Sequence, residues 1–346
     1  MAVLQADDYA DLVKLTLNKL GKGKWTELAT DLQDHVGMNE ILRKQRVKEE
    51  SGKSIDLNVM TSHSGAAQKT GLYATDTVKV GNVMQKGNIP WRHVTTNWAL
   101  DTRETTMNGG ASRIIDIVKT KRADAMISLA ELIEEIIWSK PDDDTDNETP
   151  FGIPYWVVSN ATTGFNGGNP TGFTSGAGGL SSTTYSRWSN YTAQYANVTR
   201  GDLIGKMRTG ARKISFKSPV SIPHDARNGN SFKRKIYLNE ETLQNFENYA
   251  EAQNENLGKD VASMDDRTTF RRIELCYAPY LDLDSTNPIY LIDWSVFYIV
   301  FLKGEYMKET GPFRAADSHR VLETHIDLTF NTRCTNRRRL AKFNTA

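Results

Sequence analysis

Residues Glu104 to Lys140 read ETTMNGGASRIIDIVKTKRADAMISLAELIEEIIWSK. Apolar residues recur at Ile114/Ile115, Val118, Met126, Leu129, Leu132/Ile133 and Ile136/Ile137, the three-to-four spacing of one helix face. Lys119, Arg122, Asp124, Glu131 and Glu134 fall mainly between them, so the helix is read as half exposed. Thr105 or Ser112 is placed to cap its start, and Gly109-Gly110 leaves the first turn open. Pro141 and the acidic run DDDTDNE stop it. From Ser112 to Ser139 such a helix is ~42 Å long at ~1.5 Å per residue. On its own it is a long amphipathic core helix; the chain on either side decides what it supports.

Upstream, Tyr9, Leu12, Val13, Leu17 and Leu20 predict one short amphipathic helix, ended by Gly21 and Gly23. Trp25, Leu28, Leu32, Val36, Ile41 and Leu42 predict a second, interrupted at Gly37. From residue 51 the period changes to two. Ile55, Leu57 and Val59 alternate with Asp56, Asn58 and Met60, which predicts a strand. Leu72-Tyr73 with Thr77 to Val80 predicts a second strand, and Trp91 to Asp101 a third. A hairpin this polar is not stable alone in water and requires a surface to lie on.

Downstream, Asp142 to Glu148 reads as a solvated loop and GIPYWVV (Gly152–Val158) as a buried strand. GFNGGNPTGFTSGAGG, residues 164–179, has seven glycines and few apolar side chains, and reads as a long surface loop. Thr199 to Arg212 predicts a short helix. Lys233 to Leu238 predicts a strand, and Asn239 caps a helix through Gln253, with acids in its first turn. Phe270 to Leu281 and Ile289 to Leu302 are strand candidates. From His319 a long half-buried strand runs toward Arg337-Arg338-Arg339, read as a solvated end or as partners for acids or phosphate elsewhere. The class is α+β with a projecting hairpin.

The 346 residues suffice for one large or two ordinary domains, and 38% hydrophobic with 25% charged residues indicates a folded chain. A net charge of +1 gives no global signal for nucleic acid. Cys276 and Cys334 fit neither a disulfide framework nor a zinc spacing. No basic leader followed by an apolar run and no run of ~18 apolar residues is present. Phosphate loop, nucleophile elbow and HExxH are all missing, and the six histidines are scattered. No catalytic, cofactor-binding or metal-binding residues are assigned. An α+β hydrolase-like enzyme with a site assembled from dispersed Asp, Glu and His stays open as an alternative.

The order of elements resembles the major capsid proteins of tailed double-stranded DNA bacteriophages, with the fold named after phage HK97. RKIYLNEETLQNFENY is similar to the strand and Asn-capped helix of their axial domains. HRVLETHIDLTFNTRCTNRRRLAKF resembles their closing strand and tail, and the GIPYWVV, GFNGG and TTYSRW series is also similar. The resemblance implies an N-terminal arm (1–50), an extended hairpin loop (51–103), a peripheral domain with the spine helix (104–149), an axial domain (150–310), and a peripheral closing strand and tail (311–346). It implies hexamers and pentamers of this chain closing an icosahedral shell in the virion, made in the host bacterial cytoplasm. A scaffolding protein, a portal and decoration proteins are the further partners it implies. The packaged DNA would touch the wall weakly and without sequence preference, and no membrane or cofactor is involved. It also implies that Leu57, Val59, Leu72, Tyr73 and Trp91 of the hairpin meet exposed spine positions, Arg122 and Glu134 among them, on a neighbouring subunit. Another virion component, a portal or decoration protein, is the second alternative.

Overall fold

The computed structural model describes residues 34–72, 80–81, 83–108, 111–215, 234–253, 269–271 and 273–345. The helix expected over 9–20 and the expected contact residue Tyr73 lie outside these.

The chain enters through α1 (Val36–Ile41), β1 (Val47–Glu50) and the pair β2 (Ile55–Met60) and β3 (Met84–Ile89). Then β4 (Arg92–Asp101) leads into α2 (Thr102–Asn108) and the spine helix α3 (Ala111–Trp138). The spine matches its expected bounds within a residue. Its inward stripe is Val118, Ala125, Leu129, Ile133, Ile136 and Ile137, while Leu132 on the flank stays partly in water. Next to the expected interruption at Gly37 the chain is non-helical at Asp34 and His35, and α1 starts at Val36 with Gly37 inside it. A Cβ there would come within 2.9 Å of Ile137 and 3.0 Å of Trp138, so glycine lets α1 touch the spine.

After the spine come α4 (Ile153–Trp156), β5 (Gly164–Gly167), β6 (Asn190–Tyr195), α5 (Leu203–Lys213), β7 (Arg234–Leu238) and α6 (Glu240–Gln253). The rest is β8 (Thr269–Phe270), β9 (Ile273–Tyr277), β10 (Ile289–Asp293), β11 (Phe297–Leu302), β12 (Lys308–Ala315), β13 (Ser318–Cys334) and β14 (Ala341–Thr345). The GIPYWVV stretch is therefore a helical turn, not a strand. It is buried as expected, but Pro154 sits in the first turn, where its fixed φ suits a helix, and a short apolar run has no period to separate the two.

Two sheets organise these elements. In the first, β13 runs antiparallel to β4 on one side and to β12 and β11 on the other, and β1 joins β11 in parallel. Leu322, Ile326, Leu328 and Phe330 of β13 face inward with Val94, Trp98 and Leu100 of β4. The spine lies across this face: Thr96 Oγ1 donates to Ala125 O at 3.4 Å, and Lys121 Nζ to Ala99 O at 3.0 Å. The second sheet has the order β5-β6-β14-β10-β7-β9-β8 and is covered by α5 and α6. The expected division at residue 310 does not follow these sheets. β11 pairs with β13 in the first, and β14, from the far end of the chain, pairs with β6 and β10 in the second. The closing segment thus ties both sheets together, because the turn at Arg337–Arg339 redirects it.

That turn corrects the reading of the three arginines as a solvated end. Arg337 and Arg339 are buried. Arg337 donates to Trp156 O at 2.8 Å, Trp188 O at 3.0 Å and Gly168 O at 2.7 Å, with longer bonds to Gly167 O and Asn190 Oδ1. A fork of five donors meets backbone and amide oxygens in place of a carboxylate. Burial pushes its guanidinium down to about 10, still charged at neutral pH. Arg339 takes the other course and pairs with buried Asp293 at 2.9 Å.

Candidate assembly surface

Because side chains alternate along a strand, the β2–β3 pair has two faces. The register sets Ile55 against Ile89, Leu57 against Gly87 and Val59 against Gln85 on one face. Asp56 against Asn88, Asn58 against Lys86 and Met60 against Met84 form the other. The first face is closed at its root. Ile55, Leu57 and Ile89 are buried, Leu57 at 1% exposure.

What closes it is the glycine-rich segment expected to be a surface loop. Asn88 N–H donates to Gly178 O at 3.1 Å. A Cβ at Gly87 would lie 2.3 Å from Gly178 O, and one at Gly178 would lie 2.9 Å from Leu57. Phe173 and Ala177 of that segment, and Leu180 just after it, are buried. Its backbone is satisfied by fixed donors and acceptors: Gly178 N–H donates to Tyr155 Oη at 2.9 Å, and Trp188 Nε1 donates to Ala177 O at 2.9 Å. Burial pushes the Tyr155 phenol up to about 12, so it stays protonated in this role. A segment poor in apolar side chains is buried here because its missing side chains let two backbones meet.

The root is also pinned from its flanks. Trp91 Nε1 donates to Gly52 O at 2.9 Å. Arg333 Nη1 donates to Glu50 Oε1 at 2.6 Å and reaches Asp56 O at 3.3 Å. Beyond Thr61 the described chain leaves the hairpin exposed. Residues Ser62 to Leu72 are exposed throughout. Met60 is 57% exposed, Met84 76%, Leu72 93% and Val80 94%. Isolated exposed apolar residues are ordinary, but four on one element are a candidate contact surface.

The structure sorts the expected contact residues accordingly. Leu57 is buried in its own chain, and Val59 and Trp91 pack against the same core. Leu72 alone of the described hairpin residues on that list stands free in water. On the spine, Arg122 is paired with Glu309 of β12 in the same chain. Glu134 is not an exposed position at all, at 1% exposure. Its carboxylate accepts from Gly37 N–H at 3.0 Å, Met38 N–H at 2.6 Å and Trp138 Nε1 at 2.7 Å, which fixes α1 on the spine. The position reads as a polar one on a helix face; only the arm folding over it makes it interior. Sequence reasoning missed Met60 and Met84, although Met60 falls on the polar face of the Ile55–Met60 alternation, and an apolar residue out of phase was the available signal.

Compared with solved structures, the chain matches a chain of the Cyanophage A-1(L) capsid asymmetric unit at TM-score 0.63 and 17% identity, over 95% of this chain and 98% of that one. The fold is the HK97-like capsid fold. A chain of the native GTA particle capsid matches at TM-score 0.52 and 12% identity over 95% and 96%. One from Mycobacterium phage Bobi matches at 0.51 and 9% over 100% and 99%. No protein-family model and no curated protein sequence matches this chain.

Proposed function

We propose that this chain is the major capsid protein of a tailed double-stranded DNA bacteriophage, assembling as hexamers and pentamers into a closed icosahedral shell. The observation that carries the reading is the hairpin. Its root is locked into its own subunit, and its outer part projects with apolar side chains that the described residues of this subunit do not cover. A neighbouring subunit can bury them, and a repeated contact from one subunit to the next closes rings. Capsid chains share the fold along nearly their whole length, which supports a shell subunit over the portal, decoration-protein and enzyme alternatives.

On this reading no reaction is catalysed and no cofactor is held. Weak, non-specific contact with packaged DNA suits a chain of net charge +1, since a strongly basic wall would bind the genome tightly. A scaffolding protein, a portal and decoration proteins complete the set of partners, and the working location is the virion. The test is negative-stain electron microscopy of the chain expressed alone and with a candidate scaffold. Closed particles or six-membered rings are expected. A subunit that stays monomeric at high concentration under both conditions overturns the proposal.

A further inference from the structure

Where the exposed part of the extended loop begins, it faces the turn that leads into β6 across a cleft of about 230 Å³. Thr61, Ser62 and His63 form one wall and Thr184, Tyr185, Ser186 and Arg187 the other. The chemistry of these walls is one-sided. The residues carry five hydroxyls, an imidazole and a guanidinium, and no carboxylate lines the cleft. Thr61 is buried, and its hydroxyl has no hydrogen-bond partner among the described residues. His63 and Arg187 are exposed and form no ion pair among the described residues. By contrast, Arg46, Arg122, Arg333 and Arg339 each sit on a carboxylate of this chain. A concave site rich in donors, with an unanswered cation at its mouth, is built to receive an oxygen anion.

We propose that this cleft receives an aspartate or glutamate side chain from a second copy of the chain. This rests on the shell reading and names a contact within it. Three observations select that occupant. Ser62 and His63, which line the cleft, open the exposed run of the hairpin that continues to Leu72. A small free anion would leave that run in water, whereas a neighbouring subunit covers it and delivers the acid together. Nucleic acid fits less well, because a phosphate backbone is held by a row of cations and this cleft presents one guanidinium. The chain itself has carboxylates to offer, among them the exposed Asp142, Asp143, Asp144 and Glu148 of the loop after the spine. Coulomb attraction between such an acid and Arg187 also orients two subunits before the apolar contact forms.

The test uses assembled particles of the full chain. Arg187→Gln is expected to raise the subunit concentration needed for assembly on the order of tenfold, the equivalent of ~1.4 kcal/mol per contact. The unfolding midpoint of the free subunit should not move, because Arg187 is exposed. Arg187→Lys is expected to restore assembly, and its amine allows a second readout. Carbodiimide treatment of particles mixed from isotopically light and heavy chains should join position 187 to an Asp or Glu of another chain. An unchanged assembly threshold for Arg187→Gln overturns the proposal and leaves the shell reading standing, as does a cross-link confined to one chain. Stabilisation of the free subunit by inorganic phosphate, without any inter-chain cross-link, overturns it in favour of a small-anion site. A wild-type chain that forms no particles at all removes both readings.

Discussion

The two ends of the extended loop are built from the same strands and behave as opposites. At the root, Leu57 and Ile89 are buried, and Leu57 and Gly87 meet Gly178 and its neighbours Leu180 and Trp156 in their own subunit. Three register positions further out and on the opposite face, Met60 and Met84 stand in water. The root is part of the core of its own chain, and under the proposed function the outer part serves association. A surface that must be free to find a partner can stay polar and thin only if something rigid holds its base. Here that base is a glycine-rich backbone, which offers no side chains but permits contact at hydrogen-bonding distance.

Cutting the loop should separate the two ends most sharply. Removal of Ser62 to Leu72 with a short Gly-Ser replacement is expected to abolish particle formation, scored by electron microscopy. Urea unfolding of the subunit should shift by no more than ~0.5 kcal/mol, as for a surface change. A large loss of subunit stability would mean that the outer part also packs on its own chain. Next in size are changes beneath the root. Arg337→Lys replaces a fork of five donors by three and strands buried carbonyls of Trp156, Trp188 and Gly168. Each orphaned acceptor costs about 1–3 kcal/mol, so a loss of several kcal/mol in urea unfolding is expected. Leu57→Ala should cost about 2–5 kcal/mol by the same measurement, the range for truncation of a buried leucine.

The exposed pair gives the smaller, opposite signature. Met60→Ser with Met84→Ser should leave unfolding within ~0.5 kcal/mol of wild type and raise the assembly threshold several-fold in light scattering. Equal behaviour of this double variant and wild type in assembly would show that the apolar end contacts nothing. The smallest effect is expected at the Lys86–Asp56 pair, 2.9 Å apart on the polar face with both side chains more than half exposed. Lys86→Ala should change stability by less than ~1 kcal/mol.

How much of this was legible depended on whether a feature carried its own period. The spine at Ala111–Trp138 was readable because a 28-residue helix repeats its apolar face many times. Ile55–Met60 and Ser318–Cys334 were readable from alternation. Ile153–Trp156 was not, since four residues fit within any period. The glycine-rich segment misled because composition counts side chains, while its burial comes from backbone contact with β3. Glu134 and the terminal arginines misled for a related reason. Charge predicts exposure until a second segment brings the matching donors or acceptors, and those lie 96 to 97 residues away for Glu134 and 147 to 181 for Arg337.

By itself, then, the sequence determined the elements that repeat: a long spine, a half-polar hairpin, a half-buried closing strand, and an order of elements that resembles capsid chains. Only the tertiary structure decided which part of the hairpin its own chain covers and which it leaves in water. That division depends on where a distant glycine backbone comes to rest against β3, and no local pattern encodes a contact made by the absence of side chains.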